Sequence, residues 1–435
     1  MLRKISNFFT KIIGEFLPDP FLLAILISFL VLIAGVFNGH SPTEMVSFFG
    51  KGFFSLNSFT MQMLLVLVTG HILANTKASH KGISYIIQRI ETPTAAILVT
   101  TLVSIFISWI NWGFGLIAGA VLAKEVAKKV RDVDYRLLIA SAYSGFVVWH
   151  GGLSGSIPLT IATDKHFAMQ WMGVVPIRET LFSPLNLFIL ATLILGLPLI
   201  NLFMHPKLED RVIFKNEEEE LLQEEKKPNT FAEKLEHSKW ISISVSLVGF
   251  FYITIYFLAN GFKLNLDIVN FSLLFLGILL HLTPIRFLEA AKLAVKGTSG
   301  IILQFPFYAG IMGMMVDSGL AKNISNLFVE ISNPTTFPLF TFWSAGILNL
   351  FIPSGGGQWA VQGPIVLTAA RELGVSYSKI AMAVAWGDAW TNLIQPFWAL
   401  PALAVAGLGI RDIMGFCLVS LIFSGVVISI AFLVF

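Results

Sequence analysis

Apolar runs long enough to cross a lipid bilayer recur from one end of this 435-residue chain to the other. A hydrocarbon core about 30 Å thick takes about 20 predominantly apolar helical residues. The runs Phe21–Phe37, Pro184–Phe203, Trp240–Leu258 and Ile413–Phe435 approach or reach that length without a charge inside them. In hydrocarbon every backbone amide must find its partner within the chain, so the fold class that follows is an all-α polytopic membrane protein. Charged residues are 13% of the chain, about half the share of a soluble domain. The net charge of +3 gives no reason to expect nucleic acid as a partner, because the basic residues sit in loops between apolar runs. One cysteine, Cys417, excludes a disulfide framework and a cysteine-ligated metal site.

Two apolar segments, 94–123 and 336–370, are too long for one span and carry helix breakers in the middle, "NWGFG" at 111–115 and "PSGGG" at 353–357. Glycine costs about 1 kcal/mol and proline about 3 in a helix interior, and freed backbone groups cost more again in lipid. Each segment is therefore expected to be a re-entrant helical hairpin. Lys124 follows Gly113 too closely for a full crossing between them. With a cytoplasmic N-terminus, most of the 29 Lys and Arg fall inside, in accord with the positive-inside rule. The expected organisation is a cytoplasmic amphipathic segment at 1–20 and a first transmembrane repeat at 21–203 with its hairpin at 94–123. A charged cytoplasmic linker at 204–239 and a second repeat at 240–435 with its hairpin at 336–370 complete it. That makes about nine full spans and two hairpins by length.

An offset of 242 places Gln62 on Gln304, Ile110 on Ile352, Gly113 on Gly355, Gly115 on Gly357, Tyr135 on Tyr377 and Gly145 on Gly387. Both breaker motifs and the helix after each keep one register, and 240–260 adds an odd crossing between the halves. The second half is then upside down relative to the first. Such inverted-topology repeats, with broken helices meeting at mid-membrane, are the architecture of secondary transporters. The segment "YSGFVVWHGGLSGSIPLTIAT" (143–163), rich in glycine and serine, and "AWGDAWTNLIQPFWALP" (385–401) read as two broken transmembrane helices. Asp388, Thr391, Asn392 and Gln395 fall at i, i+3, i+4 and i+7 on one helix face, and His150 sits beside Gly151 and Gly152. Irregular backbone is tolerated at membrane depth only where it lines a cavity or is buried in protein. The break at 353–357 therefore reads as the tip of a binding site, where helix N-termini and glycine-rich turns suit a small anion. Trp112, Trp149, Trp359, Trp386, Trp390 and Trp398 suggest apolar walls able to take a short alkyl chain.

The stretches "INWGFGLIAGA", "WHGGLSGSIPL", "IPSGGGQWAVQGP" and "WGDAWTNLIQPFWALP" resemble the bacterial short-chain fatty acid transporter family, carriers associated with acetoacetate and butyrate use. The resemblance runs over most of the chain and places it in the wider ion transporter superfamily. It implies a substrate site lined by the hairpin positions Asn111, Gly113, Pro353, Ser354, Gly355, Gly356 and Gly357. The unwound-helix positions His150, Gly151, Ser154, Ser156, Asp388, Thr391 and Asn392 would complete it. The Ser-Asn-Thr tip signature of the superfamily's dicarboxylate branch is absent, which argues against a dicarboxylate.

The leading expectation is a secondary active carrier for a short monocarboxylate in the bacterial inner membrane, with no cofactor. Proton coupling through Asp388 or His150 and Na⁺ coupling through Asp388, Thr391, Asn392 and backbone carbonyls are both compatible with the residues. A passive carboxylate channel, a carrier for another small organic anion, and an intramembrane enzyme are the alternatives. No H-E-x-x-H, G-x-S-x-G or cofactor fingerprint supports the enzyme. The N-terminal segment and the crossing at 240–260 would allow a homodimer without requiring one.

Overall fold

A computed structural model describes residues 8–9, 20–162, 166, 168–214, 229–261, 266–296, 298–353 and 355–435. The expected amphipathic segment at 1–20, the centre of the linker and Ser354 lie largely or wholly outside these residues. The described chain is helical throughout. The first set of helices is α1 Pro20–Phe37, α2 Pro42–Gly52, α3 Asn57–Ala74, α4 Lys77–Ile87, α5 Pro93–Ile110, α6 Trp112–Lys129, α7 Tyr135–Ser144 and α8 Ser156–Ile161, followed by α9 Pro184–Met204. After α10, Lys239–Asn260, come α11 Leu266–His281, α12 Pro284–Lys296, α13 Ser299–Asp317, α14 Leu320–Glu330, α15 Phe337–Asn349, α16 Gly355–Leu373, α17 Tyr377–Thr391 and α18 Pro396–Ala406. The long helix α19, Ile410–Val434, closes the chain.

The expected register reappears in the helix starts. Pro42 and Pro284 open α2 and α12, Asn57 and Ser299 open α3 and α13, and Tyr135 and Tyr377 open α7 and α17, each pair 242 residues apart. The two sets are interleaved rather than side by side. Helices α1 and α2 pack on α13 of the other set, and α11 and α12 pack on α3. Nearer the breaks the exchange repeats, α6 packing on α18 and α16 on α8. The matched Gly145 and Gly387 have one job in both sets, to let the broken helix lie against the first arm of its hairpin. A Cβ on Gly145 would sit 2.7 Å from Ile105 N, and one on Gly387 would sit 2.6 Å from Ala345 Cβ and against Phe342 O. Gly387→Ala should therefore destabilise the protein by about 1–3 kcal/mol through overpacking, read as a lower melting temperature in detergent.

Among the described residues five stretches are long and apolar enough to cross a membrane, Pro93–Ile110, Tyr135–Ile161, Pro184–Met204, Lys239–Asn260 and Ile410–Val434. Phe21–Phe37, Asp267–His281 and Ile302–Asp317 are apolar but shorter. Helix α10 turns Leu247, Val248, Phe251 and Leu258 outward, each more than 60% exposed, as a lipid-facing helix does.

The breaks differ from the sequence expectation in one respect: the glycines do not make them. In the first hairpin the helix is interrupted at Asn111 alone, whose extended backbone ends α5 and whose Oδ1 accepts from Phe114 N at 3.0 Å to start α6. Gly113 lies inside α6, and so does Gly115, where a Cβ would meet Ser108. In the second hairpin the non-helical residues include 350–353, and Gly355, Gly356 and Gly357 form the first turn of α16. Pro353 has no N–H to extend the helix, so it marks the break and the glycines serve close approach.

Candidate functional site

The first broken helix begins with α7. From Gly145 to Gly151 the chain tightens into a 3₁₀ helix, all of it buried, and α8 begins at Ser156. Its counterpart follows α17 as a single 3₁₀ turn, Asn392–Ile394, before α18. These two interruptions lie against each other, and a side chain of the first meets one from the last turn of α17, just before the second. His150 Nδ1 is 3.2 Å from Asp388 Oδ2, with both side chains 0% exposed. The imidazole is held on every side. Its Nδ1 is also 2.9 Å from Ala385 O, its Nε2 is 2.8 Å from Ser156 Oγ, and its ring lies on Trp149 with centroids 3.6 Å apart. The last open edge is covered by the second hairpin. A Cβ on Gly355 would lie 2.5 Å from His150 Cε1 and 2.7 Å from Ser156 Oγ, so the start of α16 rests directly on this group.

Most of the expected site residues thus converge. His150, Ser156, Gly355 and Asp388 form one cluster. Ser154 ties in the first hairpin, its Oγ accepting from Trp112 N at 3.0 Å, and Leu153 N donates to Trp109 O at 2.7 Å. Asn111 stands next to this link as the cap of α6. Gly151 is fixed between Trp386 and Asn186. Pro353 is buried beside the tip, while Gly356 in the first turn of α16 is exposed and has open space where a Cβ would be. Gly357 is half-buried.

The polar stripe on α17 faces a partner helix end. Asn349, the last residue of α15, has its Nδ2 within hydrogen-bonding distance of Asp388 O (2.9 Å) and Thr391 Oγ1 (3.0 Å), and it also donates to Asn392 Oδ1. Gln395 Nε2 donates to Asn349 O at 2.8 Å. Thr391 Oγ1 donates to Gly346 O at 2.9 Å. The oxygens of Thr391 and Asn392 are thus engaged by the hairpin arm, whereas Asp388 Oδ1 accepts no hydrogen bond among the described residues. No group of three His, Cys, Asp or Glu able to hold a metal occurs among them either.

Asn349 and Asn186 were not singled out by the sequence reading. Asn186, 0% exposed in the first turn of α9, donates to Gly151 O at 3.0 Å and Leu181 O at 2.7 Å and accepts from Trp386 Nε1 at 3.0 Å. It fastens the first interruption to α17. The signal for it was an amide in the first turn of a largely apolar helix. Asn186→Leu strands the Gly151 and Leu181 carbonyls and an indole N–H, at about 1–3 kcal/mol for each buried group. The expected result is a clear loss of thermal stability and a raised substrate KM.

Five of the six candidate wall tryptophans divide into two kinds, and the sixth, Trp359, is fully buried in the second turn of α16. Trp112, Trp149 and Trp398 form one cluster with Phe146 beside His150, with ring centroids 5.3–6.3 Å apart. Trp386 is tied to Asn186, and Trp390 Nε1 donates to Leu421 O at 2.8 Å, so these two serve packing between helices. Two glutamines zip the second hairpin: Gln358 Nε2 donates to Ala345 O at 2.8 Å and Gln362 Nε2 to Ser344 Oγ at 2.9 Å.

Apolar helices, interleaved duplicated halves and buried polar groups gathered at the interruptions define a polytopic helical membrane protein with an internal polar centre. The model of the short chain fatty acid transporter family matches residues 1–435, and the chain belongs to that family. A relative in Escherichia coli K12 named "putative short-chain fatty acid transporter" is 41% identical over 440 residues, covering 100% of both chains. A relative of the same name in Haemophilus influenzae is 41% identical over 439 residues, covering 98% of each. Among solved structures, the crystal structure of the Alcanivorax borkumensis YdaH transporter aligns over 95% of this chain and 98% of its own, at a TM-score of 0.44 and 14% identity.

Proposed function

We propose that this protein is a secondary active carrier that moves short-chain monocarboxylates of the acetoacetate and butyrate class across the bacterial inner membrane. It works by alternating access and draws on a cation gradient. The observation that carries the reading is the His150–Asp388 pair. One member comes from each half, and the first turn of α16, in the second hairpin, rests on it. An ionisable pair buried at membrane depth marks an ion or substrate path far more often than a packing solution. Its placement at the seam means that any rocking of the halves changes its surroundings. The glycine-rich first turn of α16 and the Asn111-capped start of α6 suit a carboxylate, and the Trp112–Trp149–Trp398 cluster suits a short alkyl chain.

In this reading the N-terminus is cytoplasmic, α10 inverts the second half relative to the first, and both hairpins are re-entrant. The apolar part of α6 ends at Ala123, and its last turns carry Lys124, Lys128 and Lys129 out of the hydrocarbon layer. The test is uptake of radiolabelled butyrate and acetoacetate into proteoliposomes, with Na⁺ and pH gradients imposed separately. Accumulation above equilibrium under either gradient is the expected result. Saturable flux that only equilibrates under both would make the protein a channel or facilitator instead.

A further inference from the structure

The two ring nitrogens of His150 are held by partners of different kinds. Nδ1 faces Ala385 O at 2.9 Å and Asp388 Oδ2 at 3.2 Å. A carbonyl oxygen only accepts, so Nδ1 carries a hydrogen whether the ring is neutral or charged. Nε2 is then the nitrogen free to gain or lose a proton, and it faces Ser156 Oγ at 2.8 Å. A hydroxyl can donate or accept. With the ring neutral, the Ser156 O–H donates to Nε2. With the ring protonated, Nε2–H donates to Ser156 Oγ and the hydroxyl hydrogen must turn away. The neighbour on that side is the opening residue of α16: a Cβ on Gly355 would lie 2.7 Å from both His150 Nε2 and Ser156 Oγ.

We infer that His150 is the proton-carrying group of this carrier, that the proton is gained and lost at Nε2, and that the Ser156 hydroxyl converts that event into affinity for a carboxylate at the tip of α16. The inference rests on the carrier reading above. Proton uptake forms one N–H bond at Nε2 and breaks none in the protein. Ser156 keeps its hydrogen, which is now free for a carboxylate oxygen at the first turn of α16. Without the proton that hydrogen is spent on Nε2, and an arriving carboxylate meets the hydroxyl lone pairs and the Asp388 charge. Proton and anion therefore favour each other's binding, and by linkage each raises the other's affinity equally.

The charge count agrees. A bound monoanion with the protonated pair carries the same net charge as the empty, unprotonated pair, so neither crossing moves extra charge through a low-dielectric interior. The elements packed on the Gly145–Gly151 turn bring two other titratable side chains near, Asp388 from α17 and the Tyr143 phenol from α7. Helices α5, α8 and α9 contain none, and α6 and α16 carry theirs at their far ends, Lys124 to Lys129 and Arg371–Glu372.

The test joins two measurements on the purified full-length protein. Butyrate Kd is measured between about pH 5.5 and 8, and ¹⁵N spectra of histidine-labelled protein follow His150, identified by its loss in His150→Gln. The expected result is a Kd that falls by up to about tenfold per unit decrease in pH, as one linked proton requires, and that becomes weak and pH-independent in Ser156→Ala. The spectra are expected to keep Nδ1–H throughout and to gain Nε2–H as pH falls, a readout that needs no Ser156 variant to fold. A saturable but pH-independent Kd, with accumulation driven by Na⁺ alone, overturns this inference and leaves the carrier reading standing. Full pH dependence retained in Ser156→Ala overturns the hydroxyl's part. Absence of both saturable binding and accumulation under either gradient overturns the carrier reading itself.

Discussion

Asp388→Asn is expected to bring gradient-driven accumulation of butyrate in proteoliposomes down to simple equilibration while the protein still folds. The amide has the shape of the carboxylate, and its oxygen can still accept from His150 Nδ1 across the 3.2 Å contact. The Asp388 main-chain carbonyl, to which Asn349 donates, is untouched. What the substitution removes is the negative charge. With Asp388 ionised, a proton on His150 leaves the buried pair neutral. With asparagine the same proton would be an unpaired charge among Trp149, Gly355 and Ala385, at a cost of several kcal/mol. The pair then stops cycling between two proton contents, and the gradient has nothing to act on. One pH unit is worth about 1.4 kcal/mol, so one proton per anion would give about tenfold accumulation in the native carrier and none in the variant. The melting temperature, followed by intrinsic tryptophan fluorescence, should move little. A collapse of the melting transition would reassign Asp388 to holding the fold.

Much of the architecture could be read from the residues because lipid allows so few solutions. Unbroken apolar runs at 184–203, 240–258 and 413–435 correspond to α9, α10 and α19, and Tyr135 and Tyr377 open matching helices in the register the motifs implied. The location of the breaks was less legible. Glycine signals both a chain that must bend and a chain that must be approached closely, and sequence does not separate the two. At Gly113 and at Gly355–Gly357 the second use applies, and the bends belong to Asn111 and to the stretch that holds Pro353. The site divides similarly. His150 and Asp388 stood out because an ionisable group is expensive in an apolar segment. Asn186 and Asn349 did not stand out, since an isolated amide in a long apolar run carries no periodic signal, and, Leu181 apart, their partners lie 35 or more residues away in the chain. The interleaving of α1 and α2 with α13 is a property of the assembled halves, and no local pattern encodes it.

Gly355→Val should abolish uptake outright, and Gly355→Ala should lower it by at least about tenfold, the equivalent of about 1.4 kcal/mol. A single methyl there would lie 2.5 Å from His150 Cε1 and 2.7 Å from both Nε2 and Ser156 Oγ. One of the two sides must yield, and the imidazole has nowhere to go. Trp149 stacks on its face, and Ala385 O and Asp388 Oδ2 fix Nδ1 on its opposite edge. The hairpin is the side that lifts, which parts the opening turn of α16 from Ser156 and His150. Gly356 supplies the control for stability. A methyl on Gly356 meets open space, so Gly356→Ala should stabilise by about 0.4–1 kcal/mol through the unfolded chain, while Gly355→Ala should destabilise by about 1–3 kcal/mol through overpacking. Opposite shifts in melting temperature from adjacent glycines would locate the contact to one residue. Equal shifts would mean that the tip of α16 does not rest on His150.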